Sequence, residues 1–547
     1  MDALFQPAAD ALGAPVEQLK LIFCLLVSYP LGSVFVRIPG RTLKHVFTLV
    51  IAGTYLIPLL NLRTGTLELL GDVLVTYFLA RGMKNRKNMP WIVFWVNMAH
   101  LTYNHVMRVV MHKENEPFDI TACQMVLVMK LTTFAWNVYD AARPEEELDS
   151  WQNKMAVREY PSILEFLGYA FYFPGILVGP YLEYKAYMSL VDGSLFRIPA
   201  EPVTSTTSSP AISRASSSAS LSVSRRDIPD GRKRVAYGKG LLGLVFLITF
   251  VIMHGSLNAS LMLQPWFLRK PFWFRIGYMQ ACQFIERTKY YGIWTLTEGA
   301  AILTGFGFTG YTPSGKSIWH GAANLDVVNV EFAPNFKVLL DSWNMKTNTW
   351  LRECIYKRVT PKGKKPGFMS SMLTFGTSAF WHGIAPGYYM SFLYGGFVQT
   401  AGRLARGSIR PLVLPVPNAS TTSDSSKKPA APPTTALKRT YDIVGMLVTA
   451  LILNFASVPF ILLNMHDCLE AWRRVNWYGI WIIGGAFAFF YGGGRAWLKR
   501  VQTLRIKKAA GVVPPQSAKK QGEEYPQMQV PPVDVGMKEV EKKLPVL

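Results

Sequence analysis

The stretch GLLGLVFLITFVIMHGSL (240–257) carries no acidic residue and no lysine or arginine, and it follows directly on the basic RKRVAYGK (232–239). About 20 such residues are enough for a helix to cross the hydrocarbon core of a bilayer. Ten further stretches read the same way: 17–36, 45–62, 65–80, 90–111, 121–140, 289–308, 369–384, 387–404, 440–464 and 476–494. Residues 163–180 are also apolar, but Pro174, Gly175, Gly179 and Pro180 interrupt them. Pro and Gly break a continuous hydrogen-bond ladder, so a broken or re-entrant helix is expected there. Residues 262–284 mix aromatics with Lys and Arg and read as an interfacial segment rather than a span. The expected fold is all-α: a polytopic integral membrane protein with about eleven transmembrane helices plus re-entrant and interfacial helices.

Composition agrees. The 547 residues are 50% hydrophobic and 13% aromatic, with only 17% charged. Concentrated in long uncharged runs, that balance excludes a soluble globular enzyme, a disordered chain and a fibre. The 58 basic residues outnumber the 35 acidic ones, giving a net charge of +23. In a soluble protein this excess suggests a nucleic-acid partner. Here it sits between apolar segments, where Lys and Arg mark the cytoplasmic side, and no nucleic acid is implied. RGMKNRK (81–87), the loops 193–239 and 341–368, and the tail after Gly494 all fall on that side with consistent parity, which leaves the N-terminus lumenal. No basic region precedes the first apolar run, so the first span is expected to act as its own insertion signal. The five cysteines are dispersed without a CxxC pair, which argues against both a disulfide framework and a zinc site.

Two low-complexity stretches, 204–226 and 417–435, are Ser/Pro-rich and read as flexible insertions in one domain covering 1–500. Residues 501–547 read as a polar, disordered cytoplasmic tail. The sequons at Asn258 and Asn418 fall in the lumen and the cytosol respectively, so only the first is positioned for a glycan.

Polar groups inside a bilayer are costly and face a cavity or a partner. Asn97, His100, Asn104 and Arg108 in one span, and Lys130, Thr133, Asn137 and Asp140 in another, recur at helical spacing. Each set therefore shares one helix face, either lining a hydrated tunnel or forming a network between packed helices. GFGFTG (305–310) and GYTPSGKS (310–317) imitate nucleotide-binding loops, with VLLD ending at Asp341 as a would-be metal-binding strand. Those loops need a strand, loop and helix within an α/β domain, and the room between the flanking spans is too small for one.

DSWNMKTNTWLRECIYKRV (341–359) is the most informative stretch. Asn344, Asn348 and Arg352 share a helix face at i, i+4 and i+8, while Trp343, Trp350, Leu351 and Ile355 are free to bury elsewhere. With Lys346, Lys357, Arg358, Lys362, Lys364 and Lys365, Arg352 makes seven basic residues between 346 and 365, against the single acid Glu353 there. Such a cluster suits lipid headgroups or a phosphorylated cosubstrate such as coenzyme A. His382 then sits in the apolar run MLTFGTSAFWHGIAPGYYMSFLYGG (372–396), followed by the helix-breaking Gly383, Pro386 and Gly387. No carboxylate or second histidine accompanies it at metal-ligand spacing, and no Ser-nucleophile motif is present. A neutral imidazole acting as a general base fits that setting.

The pattern WN-x3-N-x-WLR, with the His of WHG-x-x-PGYY 38 positions after Asn344, resembles the membrane-bound O-acyltransferases, lysophospholipid branch, and most of all the fungal enzymes that reacylate several lysophospholipid classes. DITACQMVLVMKLTTFAWNVYD (119–140), FYFPGILVGPYLEY (171–184) and RTKYYGIW (287–294) add to it, and the likeness runs in order over residues 15–500. It implies a central tunnel in a multi-helix membrane fold, His382 and Asn344 as the catalytic pair, acyl-CoA as cosubstrate, a lysophospholipid acceptor, and an endoplasmic-reticulum membrane. No permanent cofactor or metal is expected. Asn348, Arg352, Lys346, Trp343, Lys130, Thr133, Asn137, Asn104 and Tyr388 are the candidates for substrate binding. The rival readings are a sterol, diacylglycerol or protein acceptor, and a non-enzymatic channel or lipid transporter.

Overall fold

A computed structural model of the protein describes residues 1–111, 118–197, 228–361, 363–364, 367–416 and 435–509. The Ser-rich stretch 204–226, nearly all of 417–435 with its sequon at Asn418, Lys362, Lys365 and the tail beyond residue 509 lie outside them. Within the described residues the chain is helical apart from one pair of two-residue antiparallel strands, Gly310–Tyr311 and Ser317–Ile318.

The protein is an all-helical polytopic membrane protein. Four helices are long and apolar enough to cross a bilayer on those grounds alone: Val16–Phe35, Arg41–Leu59 with its π-helical end, Arg232–Met253 and Ala436–Leu462. Other expected spans also form helices, among them Arg63–Gly82, Met89–Val110, Ile120–Ala141, Phe368–His382 and Pro386–Ser408. They carry more polar residues, and the fold turns those inward. The segment 163–180 breaks as expected: Ile163–Ala170 is helical and turns follow to Tyr184. Two expectations change. The segment 262–284 is not a separate interfacial element, because most of it belongs to a 32-residue helix, Phe272–Leu303. The polar tail is still helical at its start, since the helix Arg495–Ala509 runs past residue 501.

The helix Ile120–Ala141 is the hub, with 17 of its 22 residues buried. At the rim, Arg232–Met253 buries only Ala236, Gly240 and Gly243 and turns Leu241, Val245, Ile248 and Ile252 outward, as a lipid-facing helix does. It is held by close backbone approach to Phe272–Leu303: a Cβ on Gly243 would stand 2.9 Å from the Gly292 carbonyl oxygen, and the reciprocal contact is also 2.9 Å. Lipid is as apolar as Leu, so small residues that let backbones touch are what join helices in a bilayer. Polar glue adds to this. Arg287 donates to both oxygens of Glu331, at 2.9 and 2.7 Å, and to Asn454 Oδ1 at 2.5 Å, tying Phe272–Leu303 to Ala436–Leu462.

Asn258, the first residue of one sequon, caps the 3-10 turn Ala259–Leu263: its Oδ1 accepts from Leu261 N at 3.2 Å and its Nδ2 donates to the His254 carbonyl at 2.9 Å.

Gly292→Leu should force apart the contact with Gly243, at about 1–3 kcal/mol, the usual cost of overpacking. Gly484→Ala, where nothing lies within 4 Å of the new Cβ, should leave stability unchanged. Thermal unfolding of the two purified variants in one detergent, followed by size exclusion, measures the difference.

Candidate active site

Asn344 immediately precedes the short helix Met345–Leu351 and adopts φ 42°, ψ 54°. That left-handed conformation is uncommon for a residue with a Cβ, and Asn is among the few that tolerate it. Asn324 holds the turn: its carbonyl accepts from Met345 N at 2.8 Å and its Oδ1 from Lys346 N at 3.0 Å. A π-helical turn, Arg352–Tyr356, continues the segment.

His382 ends the helix Phe368–His382, and Gly383, at φ 134°, lets the chain turn before Pro386 opens the next helix. Fifteen residues make a helix about 22 Å long, short of a hydrocarbon core of about 30 Å. Aromatic rings surround the imidazole: Phe392 stacks at 5.0 Å and 17°, Phe460 lies edge-on at 5.0 Å, and Tyr388 is tilted at 5.6 Å.

Two tryptophans join the segments. Trp350 donates its Nε1–H to Thr132 Oγ1 at 2.9 Å, and Trp381 donates its own to the Met125 carbonyl at 3.0 Å. Their rings meet at 5.6 Å. Both indoles are thus bonded to Ile120–Ala141, which sets the asparagine segment against the histidine helix. Trp343 is seated on Tyr290, Tyr291 and Trp294, with ring centroids 5.2–6.0 Å away.

The result is a cavity of about 460 Å³ lined by both His382 and Asn344. Neither side chain hydrogen-bonds to a described residue, so both are free for a ligand. Trp343, Asn348 and Arg352 line the same cavity, and Tyr388 flanks His382. Asn348 also donates to the Leu340 carbonyl at 2.8 Å, and Arg352 pairs with Glu353 at 2.9 Å. Leu351 lines the cavity as well rather than burying elsewhere.

The remaining candidates lie outside this cavity. Lys130, with no exposed surface, donates to the carbonyls of Tyr169 at 3.1 Å and Ala170 at 3.0 Å. Thr133 accepts from the Tyr181 hydroxyl at 2.9 Å, and Asn104 donates to Glu68 and Gln124, both at 2.9 Å. Lys346 donates to the Gly321 carbonyl at 2.7 Å. Asn137 is buried with both amide atoms unpartnered, and the structure gives no account of it. The two polar stripes read from the sequence are therefore mostly networks between helices. Of the basic cluster, Lys357 pairs with Asp149 and Glu353 at 2.6 Å each, and Arg358 makes two bonds to Asp140, at 2.8 and 2.5 Å. Asp140 and Asp149 are sequence-distant acids that a reading of the local cluster does not count.

Sequence reasoning missed a third stripe. Ser371, Thr374, Ser378 and His382 recur at offsets of 3, 4 and 4, and all four line the cavity. The spacing that singled out the other two stripes is present here too. Arg403 and Arg406, on Pro386–Ser408, also line it. Arg403 donates to Ser371 Oγ at 3.2 Å and Thr400 Oγ1 at 3.4 Å, and neither arginine pairs with a carboxylate among the described residues. Cys354 is nearby, but burial pushes its thiol up to about 12, so it stays protonated and poorly nucleophilic.

Comparison with known proteins points the same way. Residues 112–422 match the family model for the membrane-bound O-acyltransferase family. A Schizosaccharomyces pombe protein named lysophospholipid acyltransferase is 38% identical over 476 residues, 87% of this chain and 86% of that one. The Saccharomyces cerevisiae protein of the same name is 35% identical over 90% of this chain and 77% of its own. Human membrane-bound glycerophospholipid O-acyltransferase 1 is 28% identical over 86% and 88% respectively.

Arg358→Gln should leave the buried carboxylate of Asp140 with a weakened partner set and destabilise the protein by about 3–5 kcal/mol, the usual result of breaking a buried pair. Asp140→Asn in the same chain should recover part of that loss. Thermal unfolding of the single and double variants tests the coupling.

Proposed function

The chain belongs to the membrane-bound O-acyltransferase family, and from that premise we propose that it moves a fatty acyl group from acyl-CoA to the free glycerol hydroxyl of a lysophospholipid. One observation carries the proposal: His382 and Asn344, 38 residues apart in sequence, line a single cavity with no hydrogen-bond partner of their own among the described residues. The names of the fungal relatives support the acceptor class.

In this mechanism His382 takes the proton of the acceptor hydroxyl as its oxygen attacks the thioester carbonyl carbon. The C–S bond breaks, and the coenzyme A sulfur leaves with the electron pair and recovers the proton from the imidazolium. Asn344, its backbone held by Asn324, donates its amide to the developing oxyanion or to the thioester carbonyl. Holding both amphiphiles in line contributes as much as the base: well-oriented encounters are worth up to about 7–11 kcal/mol. Arg403 and Arg406, free of carboxylate partners among the described residues, suit the phosphates of the donor's nucleotide end, with Arg352 and Asn348 nearby. The apolar rings around His382 suit acyl chains and exclude water that would hydrolyse the thioester. We assign the protein to the endoplasmic-reticulum membrane, with its C-terminal tail in the cytosol. The basic loops support the orientation, and the family resemblance supports the compartment.

Free-thiol release by the purified protein, with one lysophospholipid offered at a time, tests the reading. His382→Ala should remain monodisperse and lose about 10²–10⁴-fold in turnover, the usual worth of a general base. Wild-type-like turnover would remove His382 from the chemistry, and thiol release only with a sterol, diacylglycerol or protein acceptor would overturn the acceptor class. Arg403→Gln with Arg406→Gln should raise KM for acyl-CoA more than it lowers kcat. Maleimide should leave turnover intact, since all five cysteines are buried and no acyl-cysteine is formed.

A further inference from the structure

GYTPSGKS (310–317) imitates a phosphate-binding loop but does not fold as one. It forms the small hairpin: Thr312 N–H donates to the Lys316 carbonyl at 2.8 Å, Gly315 N–H to the Thr312 carbonyl at 2.9 Å, and Lys316 N–H to Thr312 Oγ1 at 3.1 Å. Three amides of the loop are thus consumed internally. Ser317 donates to the Asp230 carbonyl and accepts from Trp319 Nε1 at 2.9 Å, pinning the hairpin to the start of the helix Arg232–Met253. What the motif delivers is the Lys316 side chain.

Lys316 faces a groove of about 1150 Å³, shared with Arg197 and Arg234. All three side chains are exposed, and none has an ion-pair or hydrogen-bond partner among the described residues. Two further charged groups line the groove. Lys239 is neutralised by buried Glu298 at 3.0 Å, and Asp230 supplies the one acid. The groove also reaches Leu242, on the helix that exposes Leu241 beside it and Val245 and Ile248 farther along. Three unneutralised cations thus stand where a basic helix start becomes a bare apolar surface.

We propose that this groove binds an anionic phospholipid, its phosphate among Arg197, Arg234 and Lys316 and its chains along the outer face of Arg232–Met253. Charge complementarity selects a phosphate, and continuity with the lipid-exposed face selects a lipid over a soluble anion. The site is separate from the cavity that holds His382 and Asn344, with which it shares no lining residue. It would couple the protein to the charge of the surrounding leaflet.

The test uses the full chain in neutral detergent, titrated with fluorescent phosphatidic acid and then with phosphatidylcholine of the same chains. Tighter binding of phosphatidic acid is expected. Each basic residue near an anionic headgroup is worth about fivefold, so Arg234→Gln with Lys316→Gln should weaken binding about 25-fold. Thiol release in neutral micelles should be unchanged in that variant, which shows it is folded. Equal affinity for the two lipids, or binding that ignores both substitutions, would overturn the site. Displacement of the probe by inorganic phosphate at concentrations comparable to phosphatidic acid would overturn the lipid assignment.

Discussion

Two indoles bonded to one helix hold this molecule's centre in place. Trp350 and Trp381 come from segments that have no contact in sequence, yet both donate to Ile120–Ala141 and touch each other. A buried indole N–H has no water to satisfy it, so each ring is fixed by the partner it finds. The two acceptors, Thr132 Oγ1 and the Met125 carbonyl, lie about two helical turns apart on the same helix. Asn344 sits six residues before one indole and His382 directly after the other. The cavity's geometry is therefore inherited from an interaction that touches no ligand.

That dependence explains how polar groups are divided inside the bilayer. Lys130, Thr132, Thr133 and Asp140 lie on the hub helix, and every one is spent on another segment: backbone carbonyls, the indole of Trp350, the hydroxyl of Tyr181 and the guanidinium of Arg358. Arg358 also lies over the Trp136 ring at 4.3 Å, which adds a cation–π contact to its ion pair. Along the cavity, His382, Asn344 and Arg406 have no hydrogen-bond or ion-pair partner among the described residues, and Gln399 keeps a buried, unpaired Oε1 there. Unpaired polar groups are costly in a low-dielectric setting, and at the cavity a bound ligand can pair with them.

Hydropathy made the fold legible, because a run of apolar residues has few alternatives to a helix in lipid. The catalytic candidates were legible through the joint asparagine and histidine pattern. The lining of the cavity was less so, and for a physical reason. Helical spacing shows that polar residues share a face but not what the face meets. Asn97 and Asn104 meet neighbouring helices, Asn97 through Thr76 at 2.9 Å, whereas Ser371, Thr374 and Ser378 at equivalent spacing meet the cavity. Charge counting failed similarly. Arg358 looked free because its acid, Asp140, lies more than 200 residues earlier in the chain, and Lys357 adds to the local Glu353 an equally distant partner, Asp149. Arg403 and Arg406 drew no attention because nothing in their own sequence neighbourhood is unusual.

The left-handed backbone at Asn344 connects these points. A strained residue persists only where its surroundings over-determine it, and here Asn324 fixes the two following amides while Trp343 and Trp350 are locked on either side. The carboxamide thus faces the cavity without a hydrogen bond to hold it, because the backbone already does. In the proposed mechanism, a donor aimed in advance at the developing charge need not reorganise when the charge appears, which is where electrostatic catalysis gains most. Gly in place of Asn344 would keep the turn and lose that donor, whereas a β-branched residue would lose both.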